Sequence, residues 1–368
     1  LTGLYQHQAG LGGMVSPSGR GAYLGRLNDR CVTLAEALRT AGYMTAMSGK
    51  WHVGSAREHW PDRRGFDRFY GTPEGGGHHY GMLPGRTLVN DGKAIDVPKN
   101  WYSTTAFTDH ALDYIDQAAA AEKPLFLYVA YTAPHWPLQA PRETIARFHD
   151  RYRDGWQPIR VARLERQIEF GLFAEGTQLS PHDAKMPEWS TVDQQEMSLR
   201  MATHAAMVHL VDAGLGRITD RLRHHGELDN TLILFLSDNG ASAESNATGF
   251  TGNRGGDPKA RTGTPTSYNS FGISGANTCD TPLRLYKKYA HEGGIATPLI
   301  AHWPHGIPKA LWGQWSRELG HVIDFMPTFL QIAGADYPKQ WGDNDTIPME
   351  GRSLLPAVRG GEIGRARG

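Results

Sequence analysis

Four short stretches of this chain carry side chains suited to gripping an anion beside a cation. They are Gly49-Lys50-Trp51-His52, Ala133-Pro134-His135-Trp136-Pro137, Ser237-Asp238-Asn239-Gly240 and Lys287 to Glu292. Lys50 and Lys287 would neutralise anionic oxygens as compact point charges. His52 and His135 can donate hydrogen bonds or move protons, and a well-placed general acid or base is worth roughly 10²–10⁴-fold in rate. Asp238 and Asn239 set a carboxylate beside an amide oxygen, a donor pair for a hard cation such as calcium or magnesium. Each stretch also has an ordinary reading. Asp-Asn-Gly is turn chemistry, lone lysines are usually surface charges, and His135 between prolines could be satisfied by backbone alone. His291 and Glu292 read as positioning residues. His78 and His79, in the glycine-rich 75–80 stretch, read as surface loop rather than metal ligands.

The elements that carry these stretches favour the joint reading. Thr231 to Leu236 is an unbroken apolar run that stops at Asp238, the pattern of a strand buried on both faces in a parallel sheet. Tyr43 to Met47 reads as a strand leading to Lys50, and Leu125 to Tyr131 as one leading to His135. Parallel strands bring their carboxyl ends to one edge, where ligands of open α/β sheets bind. Helices are expected at 34–41, where Thr33 and Glu36 form a capping box, and at 105–121, 193–224 and 322–333. Gly214 and Gly216 read as soft points in the third of these. The polar, arginine-rich 139–189 segment reads as a helical excursion with loops over the sheet edge. The 246–280 segment, rich in Gly, Thr, Ser and Asn, reads as a long surface loop. The expected fold class is α/β, a doubly wound, mostly parallel sheet with helices on both faces.

Composition removes several alternatives. Lys and Arg number 38 and so do Asp and Glu, so no net charge draws nucleic acid or an anionic membrane. No apolar run approaches the roughly 18 residues that span a bilayer. Cys31 and Cys279 make neither a disulfide framework nor a cysteine metal site. With 368 residues there is room for one large α/β domain or two smaller ones.

Nearly the whole chain resembles a type I sulfatase of the alkaline phosphatase superfamily. Leu1-Thr2-Gly3-Leu4-Tyr5-Gln6-His7 resembles the tail of the family signature that begins Cys-x-Pro-Ser-Arg. Gly49 to His52 resembles its second signature, and 133–137 the block with a substrate-contacting histidine. Residues 237–240 resemble its metal-binding segment, and Lys287 to Gly294 with Thr297-Pro298 and Trp303-Pro304 its last active-site block. Val322 to Thr328 and Glu350 to Pro356 are similar to later structural landmarks. The resemblance implies that Asp238 and Asn239 ligate one calcium ion and that Lys50 and Lys287 bind sulfate oxygens. It implies that His52 holds or deprotonates the nucleophile's geminal hydroxyl and that His135 assists the leaving oxygen. Lys287 is preferred to Lys288 because it stands five residues before Glu292.

The same resemblance implies a nucleophile, a formylglycine made from Cys or Ser, upstream of Leu1, together with the motif arginine and two aspartates that complete the calcium site. Ser16-Pro17-Ser18-Gly19-Arg20 and Cys279-Asp280-Thr281-Pro282 do not fit that motif's spacing. Residues 1–360 are thus expected to be a catalytic domain incomplete at its N-terminus. Residues 361–368 are expected to begin a smaller C-terminal subdomain or linker, and the chain alone is expected to be inactive. The intact parent would hydrolyse a sulfate ester, with a sulfated carbohydrate preferred to a small aryl ester, in a periplasm or outside the cell. A phosphonate monoester or phosphodiester hydrolase of the same superfamily, and a non-catalytic anion- or glycan-binding relative, are the alternatives.

Overall fold

The computed structural model describes residues 1–365. The expected capping box opens α1 (Leu34–Thr40): the Thr33 amide donates to Glu36 Oε2 at 2.8 Å and the Glu36 amide to Thr33 Oγ1 at 3.0 Å. Glu36 also ion-pairs with Arg64 at 2.9 Å, away from solvent. The chain then enters β1 (Met44–Lys50), the strand on which the main sheet is built. β2 (Arg68–Thr72) pairs parallel to it on one side. The hairpin of β3 (Leu88–Asn90) and β4 (Lys93–Ile95) extends that side antiparallel. After α2 (Ser103–Ala120), β5 (Leu125–Ala130) pairs parallel on the other side of β1.

Among the elements that follow are α3 (Trp156–Glu169), α4 (Gln194–His224), β6 (Ile233–Leu236), α5 (Gly272–Cys279), β7 (Leu299–His302) and α6 (Phe325–Ala333). Alternation along the strands sends side chains to opposite faces. Met47, Phe69, Val89 and Phe126 join α1 and Met326 and Leu330 of α6 in one core. Ala46, Tyr70 and Leu88 meet Phe107 and Tyr114 of α2 on the other face, with Leu125 and Leu127 packed against them. α4 lies beside α2 there, sharing Ile218 and Leu222 with Ala111, Leu112 and Ile115. The mostly parallel sheet with helices on both faces is therefore present.

Three expectations fail in detail. β6 is not a parallel strand buried on both faces: among the described residues it pairs only with β7, antiparallel, and Phe235 and Ile300 are exposed. An apolar run reports burial tendency but not the direction or number of its partners. Nor is the 246–280 segment wholly surface loop. Ser267, Asn269, Ser270, Ser274, Asn277 and Thr278 are buried, because hydrogen bonds take over from apolar packing. The Arg200 guanidinium, for one, donates to the carbonyl of Ser270 at 2.8 Å. Gly214 is no soft point either: a Cβ there would meet Thr108 Oγ1 at 2.6 Å and the Tyr131 hydroxyl at 2.7 Å, so glycine is what lets α4 approach α2 and β5. Residues 366–368, part of the stretch expected to begin a further unit, lie outside the described residues. Arg365, just before them, donates to the buried Asp324 carboxylate at 2.6 Å.

Candidate active site

Lys50 is the last residue of β1, and the backbone before it admits only glycine. Gly49 has φ +123°, and a Cβ there would sit 2.1 Å from the Ala130 carbonyl of β5. Past the strand, the Trp51 and His52 amides donate to the carbonyls of Thr72 and Pro73 at 3.0 and 3.1 Å, clamping the turn to the end of β2. His52 itself adopts a left-handed φ of +57°, an uncommon backbone state that clusters at functional sites. Gly75 packs against its ring so closely that a Cβ would lie 2.5 Å from Cδ2.

β5 empties into the loop of His135. Its Nδ1 lies 2.9 Å from the Trp136 carbonyl. A carbonyl only accepts, so Nδ1 carries the proton and Nε2 keeps a lone pair. β6 empties into Asp238 and Asn239. The Asn239 amide nitrogen donates to the Gly240 carbonyl at 3.1 Å, leaving Oδ1 without a protein donor among the described residues. Ala241 then joins two of the stretches. Its amide donates to both Asp280 carboxylate oxygens, at 3.1 and 3.0 Å, and its carbonyl accepts from the Lys287 amide at 3.1 Å.

The electrostatics show which groups share one neighbourhood. Burial lowers the Lys50 pKa, Asp238 opposes that, and the charges of Lys287 and Arg86 add to it. Burial takes His52 down to about 4, helped by Lys50, Arg86, Lys287 and His135. Burial also takes His135 down to about 4, helped by Lys287 and Lys50. Both imidazoles are neutral at neutral pH. Lys50, His52, His135, Lys287 and Asp238 thus meet at one rim, with Asn239 next in the chain.

The two adjacent lysines part company. Lys288 is an exposed side chain paired with Glu244 at 3.2 Å, whereas Lys287 is half-buried and faces the histidine cluster.

Sequence reasoning missed three residues at this rim. Arg86 adds a third cation beside Lys50 and His52; its only signal was being one arginine in a loop. Asp280, pushed up to about 7 by burial, anchors Ala241. His79 was read as surface loop, yet it is fully buried. Its Nδ1 lies 3.0 Å from Ser103 Oγ and its Nε2 3.0 Å from the His135 carbonyl. Its amide donates to the buried Gln139 side chain at 2.9 Å. Flanking glycines suggested a loop, but these polar partners from distant segments carry it inside.

A mostly parallel sheet whose strand ends carry cations and imidazoles, facing the hard oxygens that follow β6, is an α/β scaffold of the alkaline phosphatase-like kind. The sulfatase family profile matches residues 1–335. An uncharacterised sulfatase of Schizosaccharomyces pombe is 35% identical, over 95% of this chain and 68% of its own length. The arylsulfatase of Klebsiella aerogenes is 34% identical, over 96% and 79%. The chain belongs to the sulfatase family, whose reaction is hydrolysis of sulfuric esters. Among solved structures, Ps i-CgsB with k-i-k-neocarrahexaose superposes with a TM-score of 0.66 at 24% identity, over 99% of this chain and 65% of that one. A phosphonate monoester hydrolase from Silicibacter pomeroyi shares the fold at a TM-score of 0.53 and 20% identity, over 100% and 67%. Sulfatases generally depend on calcium.

Proposed function

We propose that the whole protein hydrolyses a sulfate ester at the rim formed by Lys50, His52, His135, Asp238, Asn239 and Lys287. The observation that carries this reading is the meeting of two lysines and two neutral imidazoles beside an unpaired carboxylate. Lys50 and Lys287 hold the sulfuryl oxygens, and such preorganised charge is usually the largest contribution to catalysis of this kind. Both imidazoles are neutral in the free protein; an arriving anion draws a proton onto His135, while His52 stays neutral and able to accept one. His135, with Nδ1–H held by the Trp136 carbonyl, then has Nε2–H to give to the alcohol oxygen as its bond to sulfur breaks. His52 holds or removes the proton of the attacking hydroxyl, which family resemblance assigns to a formylglycine hydrate upstream of Leu1.

Asp238 and Asn239 fit a calcium ion as a partial donor set. Asp238 is exposed and neither its carboxylate nor Asn239 Oδ1 has a protein donor among the described residues. Calcium takes about 6–8 oxygens, and no cluster of three or more His, Cys, Asp or Glu suited to a metal occurs among the described residues, so other ligands must contribute. Bound there, calcium would neutralise negative charge beside the sulfuryl group.

The preferred alcohol part is a carbohydrate, and the proposed location is periplasmic or extracellular, as is common in the family. Among the described residues no helix is long and apolar enough to cross a membrane. Turnover of p-nitrophenyl sulfate by the full-length protein, compared with Lys50→Ala and with a phosphonate monoester, tests the reading. The expected result is a preference for the sulfate ester and a loss of about 10²-fold or more in Lys50→Ala. A higher kcat/KM on the phosphonate ester would transfer the site to the rival activity.

A further inference from the structure

Beside His135 the rim continues into a wall whose charges the proposed reaction does not use. Trp136 packs against its neighbour His135 in a tilted arrangement, with ring centroids 4.6 Å apart. Its indole N–H is fixed by Ser242 Oγ and Glu244 Oε2, each at 3.0 Å. Phe250 meets Trp136 edge-on at 5.2 Å, and Tyr268 closes the triangle at 6.0 and 6.1 Å. The three rings form a rigid block, with Tyr268 fully buried.

Two guanidinium groups border this block. Arg254 lies over the Trp136 ring at 5.3 Å, projected there by a left-handed backbone with φ +49°. Arg86, whose Nη1 donates to the Glu74 carbonyl, lines a recess with Gly75, Gly77, His78 and Thr132. Those residues adjoin Lys50 and His52, for a Cβ on Gly75 would strike His52, and one on Gly76 would touch Thr132 and the Lys50 stem. Both arginine charges act on the Tyr268 hydroxyl, and Arg86 acts on Lys50 and His52 as well. The two therefore stand on one side of the rim.

Their charge is not spoken for within the protein. Glu244, the carboxylate nearest the block, is taken by Lys288 and Trp136. Among the described residues neither Arg86 nor Arg254 has a carboxylate within 4.0 Å, whereas Lys288 pairs with Glu244 at 3.2 Å. The Tyr268 hydroxyl is buried and makes no strict hydrogen bond among the described residues, but it feels the charges of both arginines, Arg254 the more strongly. A guanidinium without a carboxylate over the Trp136 ring and a second in the recess beside Lys50 and His52 present planar, forked donors that match a sulfate or carboxylate.

We propose that Arg254 and Arg86 form a subsite for a second anionic group on the alcohol part of the substrate, next to the sulfate being cleaved. This rests on the sulfatase reading and narrows it: the substrate is a sugar carrying at least two negative groups rather than a neutral alcohol or a singly sulfated one. Trp136 holds the subsite against His135, so the second group helps set the leaving oxygen at that imidazole.

Calorimetric binding of glucosamine-2-N,6-O-disulfate and of glucosamine-6-O-sulfate tests this on the full-length protein without relying on turnover. The disulfate is expected to bind at least about 5-fold more tightly, a preference that charge-assisted hydrogen bonds of this type supply readily. In Arg254→Ala and in Arg86→Ala that ratio falls toward one, whereas Arg254→Lys keeps part of it because the charge remains. Equal affinities in the unmodified protein, or a ratio retained in both alanine variants, overturns the proposal. Lys50→Ala separates the two readings. If it leaves binding of the 6-O-sulfate unchanged, the cleavage-site reading fails, while the ratio in the arginine variants still decides the subsite.

Discussion

His79 Nε2 donates a hydrogen bond to the backbone carbonyl of His135 at 3.0 Å, so one buried histidine holds the loop that presents another. The Ser103 hydroxyl at Nδ1 fixes the tautomer this requires, with the proton on Nε2. His79→Gln and Ser103→Ala are expected to lower kcat of the full-length protein on an aryl sulfate by about 10-fold or more with little change in KM. Displacing a proton donor acts on the transition state rather than on ground-state binding. An equal rise in KM with kcat intact would assign His79 a purely structural part.

The same histidine makes stability acid-sensitive. Burial holds His79 at about 4, below its ordinary value of 6.5. Its folded pKa is depressed, so the contribution is fully present above pH 6.5 and is lost as the pH falls toward 4, because the unfolded chain takes the proton first. The loss amounts to roughly 3 kcal/mol. Urea midpoints measured from pH 7.5 to 4.5 should fall more steeply in the unmodified protein than in His79→Gln.

Lys287 and Lys288 are neighbours with different surroundings, and their variants should separate cleanly. Lys287→Ala is expected to cost about 10²-fold in kcat/KM, on the scale of one lost electrostatic contact to a developing charge. Lys288→Ala removes a mostly exposed pair with Glu244, worth at most about 1 kcal/mol. Steady-state kinetics on an aryl sulfate compares them directly.

Gly75 leaves space that the His52 ring occupies. Gly75→Ala puts a Cβ 2.5 Å from His52 Cδ2 at a φ of +100°, so the ring or the loop must move. Activity should drop by about 10-fold or more, since small misplacement of a catalytic group is expensive. Thermal denaturation should show a modest loss of stability, with the cooperative transition retained.

Removing the metal should also be visible. Chelation of the full-length protein is expected to abolish turnover and added calcium to restore it. Asp238→Ala should weaken calcium binding by about 10-fold or more in a calorimetric titration, because one carboxylate is a large share of the charge in a calcium shell.

Much of the layout was legible from residue types alone. The Thr33–Glu36 box, the α2 and α4 helices and the strands before Lys50 and His135 follow from caps and periodicity, which are local properties of the chain. The positions of Lys50, His52, His135 and Asp238 at or past strand ends, and of Lys287 in the stretch before β7, were legible for the same reason. What the sequence could not determine was partnership. The apolar run of β6 did not reveal that it pairs antiparallel with β7, and the glycines around His79 hid its burial. Arg86 and Arg254 carry no local mark of function. Their meaning comes from standing unpaired beside an aromatic block assembled from residues 136, 250 and 268. Local chemistry writes the elements, but only folding sets the distances between charges far apart in sequence, and those distances decide which of them can act on one substrate.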